Sequence, residues 1–473
     1  MGSRELSVMK GMSLLPPNPV ATLYSMLRHP YVAREQLVAF QNKRLRRLVD
    51  HAYRNVAYYR RLFDRHRLKP NDIRTVEDLV AVPITSRSAL QALPVEAMVA
   101  HGVDPGSLIT RSSSGSSGRP LSVRRTWTEE RLHGAFRLRG LRSLGLQASD
   151  RNCMVLRPQN EQPQDHQMIQ QILAKFGIAR QLVINAMQSP EDIVETLQKF
   201  RPAVVSGYPG VLARMTQTVN SEALRSLRLR FVYTGGEVLT PLMRQQIQGA
   251  FSVPIYDTYG SIEFNLLAWE CQTTGEYHSC DDGLILEVLR AGVPVAEGER
   301  GEVVATDLHS FAMPLIRYRI GDVVTKGSQV CQCAQPFSTI RSIQGRMIDY
   351  FVLTDNRVVH PYEFGVLKIP WIRAFQVTQE RVDFIVMKVV PFHKPSAQEM
   401  ASLVQPVAKL LGPAVQFQVN LVSEIPLDAN GKFRVYRSRI RSAYDEFEWP
   451  DEKAELPFTN EPISESHGKD GMD

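Results

Sequence analysis

Cysteine is scarce in this chain, with five in 473 residues. An odd number in a protein of this size argues against a disulfide framework. No apolar run approaches the roughly 18 residues needed to span a bilayer, so an integral membrane protein is not expected. The opening Met1-Gly-Ser-Arg-Glu-Leu-Ser lacks the apolar core of a signal peptide. Leu6 stands where a myristoylation motif wants Ser or Thr, and a cytoplasmic protein is expected. There is no internal repeat. With 43% hydrophobic and 22% charged residues, a collagen-like, coiled-coil or wholly disordered chain is excluded. At roughly 100–200 residues per domain, the length predicts two to four domains.

Acids are the scarcer charge: 49 Asp and Glu against 56 Lys and Arg give a net charge of +7. The balance is uneven along the chain. Residues 451–473 hold seven acids and two lysines, which leaves a body of 54 bases and 42 acids, or +12. Many of those bases lie between Lys43 and Lys69, where Leu45, Leu48, Val49, Ala52, Val56 and Leu62 recur at helical spacing. The plain reading is a surface helix with a solvated basic face. The rival is a face for RNA or anionic lipid.

Residues 1–100 read as mostly helical, with breaks at Pro70, Pro83 and Pro94. Beyond them, strands and helices alternate. Val204–Gly207, Leu229–Tyr233 and Pro254–Asp257 are predicted strands, and Ser221–Leu227 and Thr240–Phe251 predicted helices. This alternation argues for an α/β sheet with ligand loops at strand ends. Residues 284–288 and 301–306 read as further strands. The stretch 346–445 is a second mixed piece, with strands near 374–379 and 383–389 and a helix near 397–411. The expected division is a large N-terminal domain over 1–345, a small α+β domain over 346–449 and an acidic, disordered tail over 450–473.

The segment Thr110-Arg-Ser-Ser-Ser-Gly-Ser-Ser-Gly-Arg-Pro120 is either a linker or a phosphate cradle. It lacks the G-x-x-x-x-G-K-[ST] spacing of a Walker A loop. A strand-like stretch follows at once, which favours a functional loop inside a domain. Thr234-Gly-Gly-Glu237 and Asp257-Thr-Tyr-Gly-Ser-Ile-Glu263 each follow a predicted strand. The first offers backbone that can lie flat against a ring, and the second an aromatic face and a carboxylate. Met313-Pro-Leu-Ile-Arg-Tyr-Arg-Ile-Gly-Asp322 places an acid behind a glycine, suited to gripping two sugar hydroxyls. Each is weak alone, since such pairs are common in turns. Cys271, His278 and Cys331-x-Cys333 form a possible closed zinc set. Cys280 is an alternative ligand or a spare. The 52 residues between His278 and Cys331 make the spacing alone only suggestive.

Taken in order, the Ser/Gly loop, GGE, YGSIE, RYRIGD, Gly345-Arg346 and Pro426-Leu-Asp-Ala-Asn-Gly-Lys-Phe-Arg434 resemble the core motifs of adenylate-forming enzymes. Within that superfamily the chain resembles the phenylacetate-CoA ligase branch and its capsule-biosynthesis (CapK-like) relatives. The Arg-rich N-terminal helices, Gly207-Tyr208-Pro209 and the cysteine pattern carry the branch. The resemblance covers about residues 35–440. It implies ATP-dependent activation of a carboxylic acid to acyl-AMP and transfer to CoA, on a large adenylation domain with a small mobile lid.

It also implies roles. Ser113, Ser114, Gly115, Ser116, Ser117 and Gly118 would hold the ATP phosphates. Gly235, Gly236, Glu237, Tyr259 and Gly260 would surround adenine, and Asp322 and Arg346 would reach ribose or phosphate. Glu263 would bind Mg²⁺, and Lys432 would bridge the acyl oxygen and the α-phosphate. Tyr208 and Pro209 would line the acyl pocket. Structural Zn²⁺ on Cys271, His278, Cys331 and Cys333 fits the branch.

Three departures stand out. Ile348 occupies the hinge position that normally carries an acid, with Asp349 one residue later. Thr354-Asp-Asn-Arg-Val-Val-His-Pro361 lacks the glycines with which phenylacetate-CoA ligases meet CoA. Arg119 replaces the usual lysine of the phosphate loop and keeps its charge. An amine or hydroxyl acceptor is therefore the alternative to CoA. A non-catalytic protein that binds anionic surfaces through the 43–69 helix is the minor one. No nucleic-acid partner and no membrane span are expected, and a homodimer is among the states the sequence allows.

Overall fold

The structure is a computed structural model and describes residues 19–112, 121–156, 180–346, 351–355, 357–359, 364, 366, 369–428 and 432–440. The Ser113–Gly118 loop, Ile348, Asp349, His360, Pro361 and the acidic tail lie outside the described residues.

A hairpin of β1 (Ile109–Ser112) and β2 (Ser122–Arg125) brackets the Ser/Gly loop, with Ser112 opposite Ser122. The loop therefore joins two paired strands. A twelve-stranded sheet follows, and its two halves differ in kind. The first half is parallel: β3 (Asn152–Leu156), β4 (Gln181–Asn185), β5 (Val204–Gly207), β6 (Phe231–Gly235) and β7 (Ile255–Tyr259), in spatial order 4-3-5-6-7. Its strands are apolar and covered by helices Pro190–Phe200, Pro209–Thr218 and Pro241–Phe251. Each of these helices begins with proline, whose fixed φ suits the first turn. Ser189 and Thr240 cap two of them, accepting the N–H groups of Asp192 and Met243.

The second half is antiparallel: β8 (Ala268–Glu270), β9 (Tyr277–Ser279), β10 (Leu284–Arg290), β11 (Val293–Pro294), β12 (Arg300–Asp307), β13 (Tyr318–Lys326) and β14 (Thr339–Arg346). Strand β8 pairs with β7 and joins the halves.

The basic stretch 43–69 forms two helices, Arg34–Asn55 and Ala57–Arg65. Leu45, Leu48, Val49, Ala52 and Val56 are buried against Leu308, Phe311 and Ile316. Lys43, Arg46, Arg47, Arg54, Arg60, Arg61, Arg65, Arg67 and Lys69 are exposed, as a solvated face requires. Arg44 is the exception. It is buried, donating to the Leu308 carbonyl at 3.1 Å and lying 3.1 Å from His309 Nδ1. No helix among the described residues is long and apolar enough to cross a membrane.

A separate four-stranded sheet carries the C-terminal region: β17 (Ile372–Arg381), β18 (Phe384–Pro391), β19 (Gln416–Leu421) and β20 (Tyr436–Ser438), in order 19-18-17-20. A short pair before it, β15 (Phe351–Val352) and β16 (Val358–Val359), is antiparallel. Helix Ala397–Leu411 buries Leu403, Val407 and Leu411 on the sheet and opens with a Ser396/Glu399 capping box. The small domain's Phe375 and Phe433 share one apolar cluster with Val211 and Met243 of the large domain, so the small domain docks on helices Pro209–Thr218 and Pro241–Phe251.

Candidate active site

The predicted site loops converge because β5, β6 and β7 are parallel neighbours and end on the same side. Gly207-Tyr208-Pro209 leaves β5, Gly235-Gly236-Glu237 leaves β6, and Tyr259 to Glu263 leaves β7. Ligands in open α/β sheets bind outside the carboxyl ends of such strands. Gly236 takes φ +78°, a conformation costly for other residues. A Cβ there would also lie 3.1 Å from Cε1 of Tyr208. The turn thus brings its backbone and the Tyr208 ring together.

Tyr259 is nearly buried and gives its hydroxyl to Asp322 Oδ2 at 2.7 Å. Asp322 sits on β13, half-exposed, with its backbone opposite Arg346 of β14. The structure therefore places Tyr259, Asp322 and the Arg346 backbone together. Gly260 begins the turn after Tyr259, packed against the Asn265 carbonyl.

Glu263 is 7% exposed, with the Tyr318 hydroxyl 3.4 Å from Oε1. No cationic side chain pairs with it among the described residues. A buried carboxylate without a counter-charge is costly, and a divalent cation suits it. Its loop is held by Arg125, which donates to the carbonyls of Ile262 (3.4 Å) and Glu263. Arg125 in turn pairs with Glu130 at 3.2 Å, and Arg111 joins at 2.7 Å. Burial would push the Glu130 carboxyl up, but Arg125 and Arg111 hold it below its ordinary value. Sequence reasoning missed this brace, since Arg125 and Glu130 belong to no motif and Arg111, at the edge of the Ser/Gly segment, was given no role. Their position flanking the Ser/Gly loop was the available signal.

From the small domain, Lys432 reaches across. Its Nζ donates to the Gly236 carbonyl at 2.7 Å and lies 5.3 Å from the Tyr208 ring centroid. Glu237 is half-buried and accepts N–H groups from Gly210 and Phe433. Burial pushes its carboxyl up to about 7, against the pull of the Gly210 N–H, the Lys432 charge and the Phe433 N–H. A cavity of about 150 Å³ lies beside this junction, between helices Pro209–Thr218 and Pro241–Phe251 and the small sheet. It is a seam between the domains, lined by Gly210 and Phe433.

Cys271, His278, Cys331 and Cys333 come together, with donor atoms all within 4.8 Å of one another. Cys331 and Cys271 sulfurs are 3.7 Å apart, and Cys333 Sγ is 3.4 Å from His278 Nε2. Tetrahedral Zn–S bonds of about 2.3 Å imply sulfur pairs about 3.8 Å apart, so the donor set fits zinc. Burial pushes His278 down to about 4, leaving the neutral imidazole that binds metals. Cys280 stands outside the group, with its sulfur 3.6 Å from Arg139 and 3.9 Å from Asp282. Cys280 is not among the grouped donors.

Residues 358–438 match the family model described as CapK C-terminal domain. The chain is 27% identical over 396 residues to a phenylacetate-coenzyme A ligase of Thermus thermophilus, covering 78% of this chain and 85% of that one. It is 24% identical to Protein CapK of Staphylococcus aureus over 279 residues, 55% of this chain and 59% of that one. A crystal structure of 2-hydroxyisobutyryl-CoA ligase in the postadenylation state with 2-HIB-AMP superposes with a TM-score of 0.73 at 18% identity, over 89% of this chain and 92% of that one. The same enzyme in its thioesterification state, with 2-HIB-AMP and CoA, gives 0.59. This chain is a relative of the phenylacetate-CoA ligases and CapK, on the fold of adenylate-forming CoA ligases.

Proposed function

We propose that the protein is a cytoplasmic ligase that activates a carboxylic acid with ATP and passes the acyl group to CoA. The observation that carries this reading is Lys432, delivered by the small domain to the Gly236 carbonyl at the strand-end loops. Phosphate, ribose and metal positions then follow the motif order around it. The acid's carboxylate oxygen attacks the α-phosphorus, forming acyl-AMP as the bond to pyrophosphate breaks. Lys432 brings fixed positive charge to the oxygens where negative charge builds, which lowers the barrier. The Ser113–Gly118 loop and Arg119 hold the departing phosphates, and Asp322 takes the ribose hydroxyls with Arg346 nearby. Mg²⁺ held by Glu263 would neutralise triphosphate charge. In the second step the CoA sulfur bonds to the acyl carbon and AMP leaves with its oxygen. Tyr208 and Pro209 border the acyl side. Zn²⁺ on Cys271, His278, Cys331 and Cys333 would staple β8 and β9 to the 331–333 turn.

Acid-dependent ATP–pyrophosphate exchange over aryl, aliphatic and amino acids tests the reading. No exchange with folded, zinc-loaded protein would overturn it. Ile348 at the hinge and the glycine-free 354–361 segment favour one second reading, an amine or hydroxyl acceptor. Product mass spectrometry with CoA against an amine panel separates the two.

A further inference from the structure

Both carboxylate oxygens of Glu237 are engaged, and their partners come from different domains. Oε2 accepts the N–H of Gly210 at 2.9 Å, in the first turn of helix Pro209–Thr218. Oε1 accepts the N–H of Phe433 at 2.6 Å, in the small domain. The Gly210 amide is one of the donors a helix leaves unpaired at its start, and a carboxylate there also complements the helix dipole. One residue earlier, the Gly236 carbonyl takes the Lys432 ammonium at 2.7 Å. Two consecutive residues of the lid are thus gripped by two consecutive residues of one large-domain loop.

Gly210 makes the approach possible. A Cβ at that position would lie 2.1 Å from Phe433 Cβ and 3.0 Å from Glu237 Oε2. The first distance is far inside contact, and Phe433 Cβ is tied directly to backbone, so it cannot swing away as the end of a long side chain could. Any side chain at 210 would push the lid off the loop. The Phe433 ring joins the apolar cluster shared by the two domains, so the polar grip and the apolar seam close together.

We propose that Glu237 and Gly210 form a latch that holds the small domain closed for adenylation, with Glu237 as a positioning residue for Lys432. The chemical part of this inference rests on the ligase reading above; the docking part does not. On the ligase reading, the latch crosses the boundary at which the small domain would open for the second step. Its loss should therefore weigh on acyl-AMP formation and much less on acyl transfer.

Hydrogen–deuterium exchange on full-length Glu237→Gln and Gly210→Ala reads docking without any chemistry. The expected result is faster exchange at the Phe433 amide, with β17 and β18 as protected as in the parent. Parent-like protection at Phe433 in both variants overturns the latch. Pyrophosphate exchange with phenylacetate, the acid named in the relatives, should fall about tenfold or more, the scale of a hydrogen bond to a charged group. Consumption of supplied phenylacetyl-AMP with CoA should fall far less, and equal losses in the two steps overturn the proposal. If the parent exchanges pyrophosphate with no acid, the ligase reading fails while amide protection still decides the latch. If Gly210→Ala loses protection across β5, β6 and β7, it has unfolded, and Glu237→Gln decides.

Discussion

Tyr259, the last residue of β7, donates its hydroxyl to Asp322 Oδ2 on β13 across 2.7 Å. This bond ties the parallel half of the sheet to the antiparallel half at the point proposed for ribose. Removing it should loosen the acceptor without deleting it. Tyr259→Phe is expected to raise the KM for ATP about tenfold, the scale of one hydrogen bond to a charged group. Asp322→Ala should raise it more. Steady-state kinetics with ATP varied at saturating acid checks both, and a larger effect from Tyr259→Phe would reverse the assignment.

Lys432 carries the heaviest share of the proposed first step. Lys432→Ala should lower acid-dependent pyrophosphate exchange about 100-fold or more, as loss of one preorganised charge-stabilising group does elsewhere. Thioester formation from supplied acyl-AMP should change far less. Undiminished exchange would remove the lysine from the mechanism.

The Cys271, His278, Cys331 and Cys333 set predicts about one zinc per chain by metal analysis of the purified protein. Cys333→Ser should lose the metal and lower the thermal unfolding temperature. Cys280→Ser should keep the metal, because the Cys280 sulfur faces Arg139 and Asp282. Full zinc content in Cys333→Ser would refute the ligand set.

Asp282 should contribute strongly to acid sensitivity. Burial alone would push its carboxyl up, but Arg139, with His29 at 2.8 Å, holds it well below the ordinary carboxylate value. The native state therefore keeps this group ionised where the unfolded chain would protonate it. The stability it supplies is present above the unfolded value of about 4 and is lost as pH falls below it. Acid titration followed by circular dichroism should show Asp282→Asn less stable at neutral pH and less steeply destabilised between about pH 4 and 2. Parallel curves for parent and variant would count against the assignment.

Much of the site was legible because its parts are local. A glycine pair after a strand, a Tyr-Gly turn ending in Glu263, and Gly321-Asp322 each announce backbone geometry within a few residues. Strand positions were read within about two residues, Leu229–Tyr233 being found at Phe231–Gly235. Arg44 misled, since charge patterning assigns it to the solvated face while the fold buries it under Leu308 and His309. Arg125 was illegible for the same reason in reverse. Its partners at Ile262 and Glu263 lie more than 130 residues away, and nothing local marks a cation that will grip a distant turn.

The sequence by itself determined the motif order and the α/β alternation. Strand, turn and helix preferences act over a few residues, and each motif carries its own donors or charges. Tertiary structure alone decided that Cys280 lies outside the Cys/His cluster, that Glu263 has no cationic partner among the described residues, and that Glu237 meets the small domain. Glu237 is a loop glutamate in sequence. It becomes a link between domains only because β5 and β6 are neighbours and Gly210 leaves room for Phe433.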